Sequence, residues 1–153
     1  KKIIRNLNAA PYKYPIRKMY PVYEKIYYEI IGGMIITDLN INYVMENRSD
    51  FKKYLDNENR ICPKIVICNI FKNSYIGRLN VFRKKEFISK IDDQEVNTIL
   101  ELKKVLKKNK KKYIKIESEN KKVLIISKKD ILENDKKLSK LFNIKLSEYH
   151  KLI

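Results

Sequence analysis

The sequence predicts an α+β fold, mainly β, closed by helices and carrying an additional helix at its C-terminal end. Three observations predict it. Residues 87–126 read in order as strand, turn, short strand, helix and hairpin. Residues 30–36 form an apolar run interrupted by Gly32-Gly33, and an amphipathic pattern starts near residue 128. At 153 residues the chain is one domain's worth, long enough for a single core. Within 1–153, residues 1–27 read as an N-terminal strand and a Pro/Tyr-rich lead-in. Residues 40–60 read as a helical insertion, and 127–153 as a C-terminal helix and tail.

Taken in order, Lys1–Leu7 has the apolar pair and leucine of a short first strand. Pro11, Pro15 and Pro21 exclude a helix next, because proline lacks the N–H that a helix interior needs. Tyr12, Tyr14, Tyr20, Tyr23, Tyr27 and Tyr28 are expected to cover the edge of the core; the alternative is base stacking, with lysines interleaved. Ile30–Ile36 is apolar on both faces, as a buried strand is, and the paired glycines imply unusual backbone or close approach of another chain. Asn40–Asn47 and Ser49–Asp56 have short helical patterns, with Ser49 a candidate N-cap. Asn57–Arg60 has loop composition, and Ile61–Phe71 reads as a strand broken near its start by Pro63. Cys62 and Cys68 would then lie on one face, roughly 20 Å apart at strand rise, too far to bridge.

Phe87–Ile91 is expected as a strand with Phe87, Ser89 and Ile91 on one face, and Asp92-Asp93 as a tight turn. Thr98 begins a helix, because Glu101 three residues on completes a capping box. Ile99, Leu102, Val105 and Leu106 recur at helical spacing behind it. Tyr113–Glu117 and Val123–Ile126 form a hairpin about Ser118-Glu119-Asn120, with Val123–Ile126 expected to be the more fully buried strand. Ser127 can cap the last helix, whose stripe is Ile131, Leu132, Leu138, Leu141 and Phe142, with Asn143 its stop.

Ile88-Ser89-Lys90-Ile91-Asp92-Asp93-Gln94-Glu95-Val96, followed by Leu102 and Leu106, resembles the second half of a PDZ domain. More narrowly, it is similar to the second, C-terminal PDZ domain of the long, plant-type Deg/HtrA serine proteases. That family continues with a hairpin, a helix and a Leu-basic-aromatic-x-Ile motif, as Leu138–Ile144 does here. Tyr27-Tyr28 with Gly32-Gly33-Met34-Ile35 resembles the family's Tyr-x-x-x-Gly-Gly-aliphatic segment. Asp93 departs from it, standing where the family prefers Gly, and Tyr75-Ile76-Gly77 has a different residue order from the family's Gly-aromatic element.

The resemblance implies a half-open β-barrel closed by the 98–109 helix. It implies a peptide groove formed by Ile31, Gly32, Gly33, Met34, Ile35 and Ile36 with Thr98 and Leu102. There backbone N–H groups receive a peptide carboxylate and a strand pairs with the ligand. The partners implied are hydrophobic or C-terminal peptide segments, the protease domain and other PDZ domain of a parent chain, and further copies in a homo-oligomer.

The residues themselves carry no catalytic set. A serine-protease triad needs a base, and the one histidine, His150, lies in the tail, where it is expected to be solvated. Two thiols and a remote imidazole make no tetrahedral zinc site, and no phosphate-binding glycine loop is present, so neither metal nor cofactor is expected. Asp92-Asp93 is explained by turn chemistry rather than by acid–base work. The net charge of +17 attracts acidic partners. General lysine enrichment weakens any inference to nucleic acid, so the lysines of 103–112 are read as a solvated face. No apolar run approaches a membrane span. The absence of a thiol framework favours a reducing compartment, and a start without Met suggests a segment of a longer chain. Three readings follow: a PDZ module used for recognition, docking or assembly; a basic nucleic-acid binder; and a structural interaction domain whose groove is closed from within.

Overall fold

The structure, a computed structural model, describes residues 14–146 and residue 150. The expected first strand, residues 1–7, lies outside them. Its strands are β1 (Tyr28–Ile31), β2 (Met34–Asp38), β3 (Ile65–Ile70), β4 (Phe87–Ile91), β5 (Gln94–Glu95), β6 (Tyr113–Ser118) and β7 (Val123–Ser127). Its helices are α1 (Ile41–Glu46), α2 (Arg48–Phe51), α3 (Tyr75–Leu79), α4 (Ile99–Lys108) and α5 (Lys128–Phe142). The fold is α+β. One open antiparallel sheet has the order β1-β2-β3-β4-β6-β7, with the short β5 paired to β4.

Alternation along β3 explains the layering. Ile65 and Ile67 enter the main core, with Ile36, Ile91, Leu102, Ile114 and Ile131, under α3, α4 and α5. Val66 points the other way, into a second cluster with Ile16, Leu39, Val44, Phe51 and Tyr54. The 40–60 segment therefore builds a small core of its own on the opposite face of the sheet. Its aromatic rings meet Phe87 of β4, Phe51 at 5.5 Å and Tyr54 at 5.9 Å between centroids.

Local chemistry accounts for most element ends. The Thr98 hydroxyl accepts from Glu101 N at 3.2 Å and the Glu101 carboxylate accepts from Thr98 N, so the capping box is present. Asp92 and Asp93 both have positive φ, 50° and 67°, the pattern of a type I′ hairpin turn. Asp92 is held there because its carboxylate accepts from Lys115 N and from the Asn109 amide. Asn143, at φ 51°, ends α5 in left-handed backbone.

Several expectations need correction. Residues 30–36 are not one strand: Gly32 and Gly33, at φ 58° and 86°, are the two-residue turn between β1 and β2. Asn40 caps the insertion's first helix, and Ser49, expected to cap the second, lies inside α2, whose N-cap is Asn47. The strand expected from Ile61 begins at Ile65, beyond Pro63, which has no N–H to donate. Cys62 therefore sits exposed ahead of the strand that carries Cys68. A bulge between Ile88 and Lys90 breaks the alternation of β4 and sends both Ile88 and Ile91 into the main core. Tyr75-Ile76-Gly77 lies in a helical turn, its N-terminus capped by Ser74. Ser127 occupies the N-cap of α5 without a side-chain capping bond, and Leu141 of the expected stripe is 74% exposed. β7, expected to be the more fully buried strand of its hairpin, buries only Ile126 fully and leaves Val123 and Ile125 exposed, because it is an outer strand of the sheet. The lead-in is anchored by buried Ile16, while Tyr20, Tyr23, Tyr27 and Tyr28 are exposed rather than packed over the core edge.

Candidate functional site

The Gly32-Gly33 turn, the strands on either side of it and α4 form the region to which the sequence assigns peptide binding, and α5 packs beside the turn. Positive φ at both glycines lets β1 turn directly into β2, with Ile31 opposite Met34. The turn is also crowded. A Cβ on Gly33 would lie 2.1 Å from Ser74 Cβ, closer than any packing allows.

The turn already holds a carboxylate. Gly32 N donates to Asp135 Oδ2 at 2.9 Å, and the same oxygen lies 2.9 Å from His150 Nε2. Asp135 and His150 are both buried, so the expectation of a solvated tail histidine is overturned. Its ring is needed inside because a carboxylate withdrawn from water requires donors. Beside it, Asn134 accepts from Tyr75 N at 2.7 Å, so two neighbouring residues of α5 tie that helix to the turn and to α3.

Neither edge of β2 is available. β1 pairs with one and β3 with the other along Met34–Ile36. The expectation that an added peptide strand would run along Met34–Ile36 is therefore corrected, since every strand has only two edges. β1 is the outer strand here, and its residues Glu29, Ile30 and Ile31 are 1%, 4% and 0% exposed, which leaves their backbone no open edge.

On the α4 side, Asp38 at the end of β2 accepts from Ile99 N at 2.7 Å. Burial pushes the Asp38 carboxyl above its ordinary value, while the Ile99 N–H pulls it down less strongly. Glu29 on β1 is buried, with Oε1 2.8 Å from Lys103 Nζ of α4 in an ion pair off hydrogen-bonding geometry. Lys103 also lies over the Tyr27 ring, 5.7 Å from its centroid. Next to these residues is a cleft of about 420 Å³ lined by, among others, Arg17, Glu24, Tyr27, Asp38 and Thr98. Arg17 and Glu24 of its lining are ion-paired, and this holds the Glu24 carboxyl below its ordinary range.

Of the residues assigned to a groove, Ile31, Met34, Ile36 and Leu102 meet one another in the main core. Ile35 is half-buried, Gly32 and Gly33 form the turn, and Thr98 borders the cleft as a helix cap. The reading of a groove closed from within assigns that role to Glu29 and the tyrosines near it; Asp135, Asp38 and the burial of His150 are missed. Asp135 was legible in principle, since it falls at i+4 from Ile131 and i−3 from Leu138, in the middle of the apolar stripe. Nothing local marks the burial of His150.

Among the described residues no cluster of His, Cys, Asp and Glu is suited to a metal, and no helix is long and apolar enough to cross a membrane. No protein-family model matches the chain, and no curated protein matches it at a significant level.

Proposed function

We propose that this chain is a non-catalytic PDZ-type module of a Deg/HtrA-type serine endopeptidase, working by docking and assembly rather than by capture of free peptides. What supports the family reading is the order of elements: strand, glycine turn, strand, then strand, short helix, strand, acidic turn, strand, helix and hairpin. In a half-open barrel of that kind the glycine turn receives a ligand carboxylate and the long helix flanks the ligand. The observation that carries the docking reading is the Asp135 carboxylate on Gly32 N, which fills from within the place a peptide terminus would take.

Two measurements test this. The reading frame upstream should encode a Gly-Asn-Ser-Gly-Gly-type motif preceded by a His and an Asp, and its absence would overturn the family assignment. A short peptide ending in a free Val carboxylate, titrated calorimetrically, should give no saturable heat. Binding competitive with the α5 contact, exposed by a gain on Asp135→Ala, would instead make this a regulated peptide receptor.

A further inference from the structure

We propose that the outer edge of β7 accepts an extended segment of an acidic partner protein. The proposal rests on the sheet's second outer strand and does not depend on the family assignment.

The two ends of the sheet differ. β1 is sealed, whereas β7 is open: Val123 is 45% and Ile125 63% exposed, and no described strand pairs with its far side. The register fixes which groups face outward. Lys128 N donates to Lys112 O and Ser118 N to Lys122 O at the two ends of the hairpin. In an antiparallel ladder bonded pairs alternate, so Leu124 and Ile126 also turn their backbone groups toward β6. The N–H and C=O groups of Val123, Ile125 and Ser127 are left pointing away from the sheet. An exposed strand edge with apolar side chains is a template for a further strand, and this one lacks proline and inward charge as protection. Tyr113 and Lys115 continue the same outer face across from Ser127 and Ile125, and Tyr113 is itself half-exposed.

Charge chooses between the possible occupants. A second copy would bring β7 against β7 with a net charge of +17 on each chain. The hairpin concentrates that charge at one end, where Lys110, Lys111 and Lys112 are exposed, while Lys129 faces Glu133 there and Lys121 faces Glu117 at the other end. Like charges facing one another oppose self-pairing, while an acidic strand gains both the ladder bonds and the field. The fitting segment has small β-branched residues at alternate positions beside Val123 and Ile125, and carboxylates at the end that meets Lys110, Lys111 and Lys112; acids at both ends of a probe serve either strand direction.

The probe is a blocked, fluorescent peptide, Glu-Asp-Val-Thr-Val-Thr-Val-Asp-Glu, with a control in which lysines replace its four acids. Anisotropy should show binding of the acidic peptide, weakening at least about tenfold as salt rises past the level where surface charges are screened. Hydrogen exchange should slow at the amides of Val123, Ile125 and Ser127. Ile125→Pro removes an outward N–H without costing a ladder bond, and should weaken binding at least about tenfold. If that variant melts early, Ile125→Glu at the same exposed position should do likewise while keeping the fold. The proposal is overturned if the lysine peptide binds as well, if both variants bind as the parent does, or if protection appears only at residues 110–112. Concentration-dependent dimers that Ile125→Glu abolishes would also overturn it, by making a second copy the occupant.

Discussion

Lys103 and Glu29 show how far a residue's role can depart from its position in a pattern. By helical spacing Lys103 is a surface lysine, and on that basis truncation would be expected to lie within about 0.5 kcal/mol. In the fold it supplies the charge opposite a buried carboxylate, 2.8 Å away. Lys103→Ala should therefore destabilise by roughly 1–3 kcal/mol, since it leaves a buried carboxylate without the charge that faces it. Lys104→Ala next to it should stay within about 0.5 kcal/mol. Adding Glu29→Gln to Lys103→Ala should recover part of the loss in urea melts, because the uncompensated charge is gone; equal losses in single and double variants would refute the coupling.

Asp38 gives a second test at this scale. Its folded carboxyl titrates above its unfolded value because burial disfavours the charged form. Between those two values the folded chain binds more protons than the unfolded one, so this group's contribution to stability falls as pH rises. Asp38→Asn keeps an acceptor for Ile99 N and removes the titration. The variant's stability relative to the parent should accordingly improve from about pH 3 to about pH 7. A difference that is flat with pH would show that Asp38 does not carry the linkage.

Among the elements, the β1–β2 turn is the least tolerant of change. A side chain at Gly33 meets both a positive φ and the body of Ser74, and neither can give way without moving α3. Gly33→Val should abolish cooperative folding in circular dichroism melts, which makes the glycine a structural requirement rather than a switch for binding. A folded Gly33→Val protein would contradict the packing of the turn on α3. For α4, Leu102 is fully buried and Leu102→Ala should cost roughly 2–5 kcal/mol, the range of buried leucine truncations. An effect no larger than that of Lys104→Ala would mean that the helix is turned the other way.

Across the whole molecule, charge is the dominant surface property, and much of it is local pairing. Lys64, Lys85, Lys115 and Lys122 each face a carboxylate distant in the chain. What remains is a general positive field, strongest about the end of α4 and the hairpin that follows. A random single-stranded RNA should bind weakly and lose affinity steeply with salt, in proportion to the phosphates contacted. A complex that is selective for sequence at physiological salt would require a readout surface that the exposed Tyr20, Tyr23 and Tyr28 would have to supply.

Sequence by itself determined the features whose causes are short-range. The Thr98–Glu101 box, the α5 span and its Asn143 stop depend on residues near one another in the chain, whereas the Asp92-Asp93 turn, marked by its residue types, is held in place by Asn109 and Lys115. Apolar alternation likewise marked β6. Tertiary structure decided what depends on which surfaces meet. It turned Gly32-Gly33 from the opening of a strand into a hairpin turn, and paired β2 on both edges. It brought Asp135 and His150, fifteen residues apart, into one buried contact, and set Lys103 against Glu29 across seventy-four positions. A carboxylate's partner is chosen by where burial leaves it without water, and that is a property of the packed chain rather than of any stretch within it.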